Sequence, residues 1–275
     1  DLLLTLIVCN LVFFHQRGFS KSSSYYIYGS TAIYLPLLLF NSRGAFISAM
    51  LFLLLVSLSQ KEYFSKNKIQ IIIVTLIVLS FGILSLLYIG YSFEVVNIEP
   101  EIQVISEAAE AVTKQKNTVR AIFGFYICEN RLCSVDNTLD WRLDIWGDLF
   151  KDMNEENILF KGYGFNEIFP IMLDPTAPGR LGRDGLNENV HNYFFNILGR
   201  TGFVGLLVVL LFYFYFIREY IATSNNLHIL IYLIPVFFSS FFDATMEGVQ
   251  FPVIFFSFLG YLYLQNQYLE NDSFE

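Results

Sequence analysis

Residues 189–217 read NVHNYFFNILGRTGFVGLLVVLLFYFYFI, and this stretch decides the fold class. From Asn192 to Ile217 the chain is apolar, with Arg200 as its only charge, and it exceeds the ~20 residues that a helix needs to cross a bilayer. A histidine and asparagines stand at its entrance. Similar apolar runs recur at roughly 1–14, 25–40, 44–59, 69–91, 227–242 and 251–267, giving seven candidate spans with 192–217. The composition agrees: 55% of the 275 residues are hydrophobic and 15% are charged, against about a quarter charged in soluble domains. An all-α, polytopic transmembrane bundle is expected, inserted in a lipid bilayer. Nucleic acid is not an expected partner, because the net charge is −8 and no Lys/Arg block is present. The sequence starts at Asp1 inside an apolar run, so the chain is expected to be the C-terminal part of a longer protein.

Orientation follows from the flanking cations. Arg17 and Lys21, then Lys61, Lys66 and Lys68, then Arg218 occupy alternate short loops, which the positive-inside rule makes cytoplasmic. The turns around 41–43 and 243–250 are then on the outer side, as is the hydrophilic segment 92–190. Three regions result: transmembrane helices over 1–91, an outer loop or cap over 92–190, and transmembrane helices with a cytoplasmic tail over 191–275. Within the cap, EPEIQVISEAAEAVTKQKN (99–117) has the periodicity of an amphipathic helix opened by Pro100. TLDWRLDIWGDLFKDM (138–153) predicts a second helix, with Ile145, Trp146, Leu149, Phe150 and Met153 as its apolar stripe. DPTAPGRLGRDGLNEN (174–189) is rich in Pro, Gly and Asn and predicts an irregular loop. Cys128 and Cys133 fit a small disulfide loop in an oxidising compartment, or two free thiols, better than zinc, because no further Cys or His lies within thirty residues.

Charge near a bilayer is costly, which singles out a few residues. Arg43 follows a tight outer turn, Asn41–Ser42, and begins the next helix on the side that the positive-inside rule disfavours for a cation. Its bland alternative is a side chain that snorkels to lipid phosphates. Arg142 falls on the apolar stripe of the second cap helix; its alternative is an ion pair with Asp140, Asp144 or a distant acid. On a helical wheel His191 lies within about 40° of Leu198, Gly202 and Gly205, so it is expected at the outer end of a small-residue face that another helix approaches. Arg180 and Arg183 are further candidates, although loop arginines are usually solvated, and so is Asn192 beside the histidine. Asp243 and Glu247 fall on the same outer side.

The order of these pieces carries a resemblance. SRGA (42–45) opens a span, a long outer loop holds R-x-x-x-W (142–146) and GYGFN (162–166), and HN-x6-G-x-x-G-x-x-G (191–205) opens the next span. This arrangement resembles the O-antigen ligase/polymerase superfamily over roughly 30–220. The group includes lipopolysaccharide O-antigen ligases, O-antigen and capsule polymerases, and bacterial O-linked protein oligosaccharyltransferases. The resemblance implies a GT-C-like membrane glycosyltransferase of the bacterial inner membrane, with its active site facing the periplasm. It would move a glycan from undecaprenyl diphosphate to an acceptor hydroxyl on a glycan, lipid A-core or protein. It also implies that Arg43 and Arg142 hold the diphosphate, where Arg makes bidentate, charge-assisted bonds, and that His191 is the general base. An imidazole with an ordinary pKa of about 6.5 is largely neutral at neutral pH, as a base must be. No cofactor or metal is implied. The acid-rich start of the loop (Glu94, Glu99, Glu101, Glu107, Glu110) departs from what a diphosphate site wants, and 92–135 matches no quoted motif. The rival expectation is a polytopic transporter or permease for an anionic or glycan substrate. Such proteins place ionisable residues near the bilayer midplane, whereas the span interiors here are nearly free of charge.

Overall fold

The computed structural model describes residues 1–89, 125–128, 131–165, 168–174, 177, 180, 188–224, 226–242 and 245–272. The expected helix at 99–117, the acids Glu94 to Glu110, and also Arg183 and Asp243 lie outside the described residues. The elements are α1 (Leu2–Arg17), α2 (Lys21–Asn41), α3 (Arg43–Ser59), α4 (Lys61–Lys66), α5 (Lys68–Ile89), β1 (Phe125–Cys128), β2 (Arg131–Ser134), α6 (Asn137–Glu155), α7 (Tyr193–Ser224), α8 (His228–Phe241) and α9 (Gln250–Asp272). Within the described residues, each of the seven expected apolar segments forms a helix. Two of the helices, Lys68–Leu87 and Tyr193–Ser224, are long and apolar enough to cross a membrane, with mean hydropathies of 2.6 and 2.0. α1, α3 and α8 are shorter apolar helices.

One expectation needs correcting. The chain is mostly but not entirely helical, because β1 and β2 pair antiparallel with Cys128 opposite Arg131 and Tyr126 opposite Cys133. The strands FYIC and RLCS are rich in aromatic and branched residues, which suit a pleated ribbon. The sulfurs of Cys128 and Cys133 lie at bonding distance, which staples the hairpin across its turn.

The described residues group into two compact units, Asp1–Gly90 with Leu210–Glu275, and Tyr91–Val209. In the first, α2 packs along α5 and α3, and α3 along α8. Its core is apolar (Leu4, Ile7, Ala32, Leu35, Phe52, Tyr232, Phe255), with a buried polar cluster inside it. Asn10 in α1 donates to Thr31 Oγ1 at 3.2 Å and accepts from Ser30 Oγ at 2.9 Å, both on α2. A buried amide left unmatched would destabilise the unit by a kilocalorie or more per mole, on the order of 1–3 kcal/mol. By contrast, α5 keeps Ile72, Leu76, Leu79, Ile83 and Leu87 exposed, and α7 keeps Leu207, Leu211, Phe214 and Tyr215 exposed. Apolar surface on that scale is what a bilayer-facing helix presents.

Candidate functional site

The second unit is built around α6. Asp136 caps the helix, its Oδ1 accepting from Leu139 N at 2.9 Å. Ile145, Trp146, Leu149 and Met153 are buried as one stripe and join Phe169, Ile171, Met172, Val190 and Leu198 in a common core. Phe150 departs from the expected stripe: it is 45% exposed and meets the Phe203 ring edge-on. Its offset from the 146–149–153 line places it on the flank of the helix.

The acids on α6 are engaged by other arginines. Arg131 from the hairpin grips Asp140 with two parallel bonds of 3.0 and 3.2 Å and reaches Asp144 at 3.5 Å. Ser134 N adds a bond of 2.8 Å to Asp140 Oδ1. Arg180 differs from an ordinary loop arginine: it is 3% exposed, with Nη2 on Asp144 at 2.7 Å and on Asp148, and Nη1 donating to Ile171 O at 2.9 Å. Burial opposes the charge of both guanidiniums, but their carboxylate partners outweigh it and hold both pKa values above the ordinary range. Asp140 and Asp144 are thus bonded to Arg131 and Arg180.

His191 occupies a turn, not the helix. α7 starts at Tyr193, and His191 has φ 52°, one of two non-glycine residues with positive φ among those described. The helical-wheel placement of His191 is thereby overturned, since a wheel has no meaning for a residue ahead of the helix. Asn189 and Asn192 bracket the turn. Asn189 Oδ1 accepts from His191 N at 3.1 Å, and Asn192 Oδ1 accepts from the amides of Phe194 and Phe195 at 2.9 and 3.0 Å, capping α7. Asn192 is fully buried, consistent with that capping position. A left-handed backbone at a non-glycine residue costs on the order of 1–3 kcal/mol and persists only where its surroundings enforce it. Here α6 does so. Trp146 Nε1 donates to Val190 O at 2.7 Å and stacks on Phe195 with centroids 5.1 Å apart, and Trp141 packs on the imidazole at 5.0 Å. Arg142 follows Trp141 in the chain, half-buried on the same helix. α6 thus carries both Arg142 and the indole that packs on His191. Trp141 and Asn189 escaped the sequence reasoning, as did the bond from Trp146 to the Val190 carbonyl; the Asn-x-His-Asn pattern was the available signal for a capped turn. Replacing Trp146 with Phe keeps the stacked ring but strands the Val190 carbonyl, so a cost of about 1–3 kcal/mol is expected. A lower midpoint of thermal unfolding would register it; an unchanged midpoint would show that the bond contributes nothing.

The glycines also do something other than expected. Gly199 and Gly202 come closest to the loop residues Phe169 and Phe160, not to a helix. Gly202 breaks α7 with φ 66° and ψ −171°. At this break the GYG segment crosses backbone to backbone: Tyr163 N and Gly164 N donate to the Gly199 and Arg200 carbonyls, and Phe203 N donates to Leu159 O, each at 2.8 Å. A Cβ at Gly202 would lie 2.3 Å from Phe160 C, and one at Gly162 2.5 Å from Arg200 C. Gly199 leaves room for the Phe169 ring, whose face carries the Arg200 guanidinium at 4.2 Å. Tyr163 is anchored by a hydrogen bond to Asp152; burial and that carboxylate both push its phenol pKa up.

Arg43 begins α3 in the first unit, behind a Ser42 cap whose Oγ accepts from Ala45 N at 3.4 Å. Gly44 beside it lets Phe242 Cβ come within 3.3 Å of where a side chain would start. Among the described residues, no group of three or more His, Cys, Asp or Glu side chains is arranged to hold a metal ion.

No curated protein and no solved structure matches the chain. A family model described as O-antigen ligase matches residues 30–210, more than half the chain. The matched stretch runs from α2 through Arg43, the hairpin and α6 to the His191 turn and the broken start of α7. With its helical, apolar architecture and the His191 turn held by α6, the chain belongs to the O-antigen ligase family, membrane enzymes of the glycan ligase and polymerase type.

Proposed function

We propose that the protein transfers a glycan from undecaprenyl diphosphate to an acceptor hydroxyl at the periplasmic face of the bacterial inner membrane. The observation that supports this most directly is the packing of Trp141 on the His191 imidazole, which ties the base to α6, the helix that also carries Arg142. In the proposed step the acceptor oxygen bonds to the anomeric carbon of the donor while the bond from that carbon to the diphosphate oxygen breaks. The proton of the hydroxyl passes to the His191 imidazole, and the bonding pair leaves with the diphosphate. Arg142, with Arg43 as the second cation, neutralises the charge that grows on the leaving group, where fixed donors in a dry site are worth most. Acceptors on this reading are a growing glycan, lipid A-core or a protein hydroxyl, and the cap over 92–190 selects among them. The alternation of Arg17/Lys21, the 61–68 lysines and Arg218 supports the orientation.

The direct test is reconstitution. The full-length protein in liposomes, supplied with an undecaprenyl-diphosphate-linked glycan and an acceptor, should release undecaprenyl diphosphate in step with glycan gained by the acceptor. Donor that stays intact with every candidate acceptor would overturn the proposal. Replacing Arg142 with Lys in the same assay should lower turnover roughly 10- to 100-fold, because a point charge lacks the planar fork that grips two phosphate oxygens.

A further inference from the structure

At one end of the first unit lies a cleft of about 500 Å³ that the glycan-transfer chemistry does not use. The start of α2, the end of α4 and the start of α5 form it, and they place Lys21, Lys66 and Lys68 on its walls. Glu62, the one carboxylate of the 60–68 connection, is not among the lining residues. Among the described residues, no ion pair ties any of these lysines to a carboxylate. The N-termini of two long helices, α2 and α5, open here, and the first amides of a helix have no partner within it and carry the positive end of its dipole. The floor is preformed: buried Gln70 donates to Lys21 O at 3.2 Å and accepts from Tyr63 OH at 2.8 Å, fixing the first residue of α2 against α5. Below the lysines the wall turns apolar. Ile69, Ile73 and Leu76 form one stripe down α5 at spacings of four and three, exposed by 76%, 38% and 57%.

A cationic head site continuous with an exposed apolar stripe matches an anionic amphiphile. We propose that this cleft binds the phosphate of an anionic phospholipid headgroup, with an acyl chain lying along Ile69, Ile73 and Leu76. Free inorganic phosphate shares the head chemistry but has no use for the stripe, so the two sources are separable. The volume suits a headgroup, within the few hundred cubic ångströms typical of small-ligand sites. The lysines supply attraction of the kind that draws basic segments to anionic lipid, which converts to roughly fivefold in affinity for each.

The test uses the full-length protein purified in an uncharged detergent, with native mass spectrometry counting retained phosphatidylglycerol against phosphatidylcholine. The wild type should retain phosphatidylglycerol selectively. The K21Q/K66Q/K68Q variant should lose that selectivity by roughly 100-fold, while K21R/K66R/K68R keeps it. Because all three side chains are exposed, size-exclusion profiles should match. An I69N/I73N variant should weaken phosphatidylglycerol and leave any inorganic phosphate binding unaltered. Equal retention of the two lipids by the wild type, or selectivity that survives in the glutamine variant, would overturn the site. Displacement of phosphatidylglycerol by equimolar inorganic phosphate would overturn its assignment to a lipid. Glycan transfer is not read in any arm, so the outcome is independent of the proposed catalysis.

Discussion

The His191→Ala variant, expressed in a host that makes the lipid-linked donor, is expected to yield no detectable transfer product while the donor accumulates. Removing a general base lowers turnover by about 100- to 10,000-fold, the largest effect on rate that any single side chain here should have. The prediction separates chemistry from folding because the backbone around His191 is held by groups other than its ring. Asn189 accepts its amide, Asn192 caps the following helix, and Trp146 bonds the carbonyl before it. A His191→Gly variant sharpens the comparison. Glycine adopts φ 52° without strain, so that variant should be at least as stable as His191→Ala and equally inactive. Normal product from either variant, with the protein present in the membrane, would remove His191 from the catalytic role. A loss confined to KM would move it to substrate binding.

The second large effect is structural. Gly202→Ala should destabilise the protein by about 3 kcal/mol or more, since it strains a conformation open essentially only to glycine and drives a methyl into the Phe160 carbonyl carbon. Relief requires the 159–164 segment to lift off α7. That would forfeit the bonds from Tyr163 N, Gly164 N and Phe203 N together. Gly162→Ala attacks the same crossing from the other side. The two changes should be strongly non-additive, the double variant costing less than the sum, because once the crossing has opened the second methyl has nothing left to displace. Thermal unfolding of the four proteins in one detergent measures this. Additive costs, or a Gly202→Ala protein as stable as the wild type, would show that the crossing is not a cooperative unit.

Much of the helical plan was legible because apolar runs and capping residues are local signals. The apolar segments, the start of a helix at Arg43, and Ile145, Trp146, Leu149 and Met153 on the face of α6 all appear where the sequence put them. What stayed hidden depends on partners far along the chain. GRTGFVG has the hydropathy of an unbroken span, and nothing local distinguishes a glycine that packs a helix from one that admits a crossing loop. Only the segment around Gly162, some forty residues earlier, decides it. Arg180 sits in a stretch whose composition signals solvent, yet Asp144 and Asp148 draw it into the interior. The hairpin was missed because its strands are four residues each, too short to show alternation. The proposed roles of Arg43 and Arg142 rest on motif order and that of His191 also on its packing against α6, and the substitutions of Arg142 and His191 above are their test.

The interruption at Gly202 also bears on how such a protein can change over time. In an unbroken helix, inserting one residue turns everything beyond it by about 100°. Here the turn that carries His191 is fixed upstream of a break, and the carbonyls left open by that break are already bonded to Tyr163 and Gly164. The stretch after Gly202 therefore does not continue the helical phase of the stretch before it. Residues facing lipid can be added, lost or re-registered to suit a thicker or thinner membrane without re-aiming the histidine. A single glycine thus separates two evolutionary pressures that one continuous rod would force to compete.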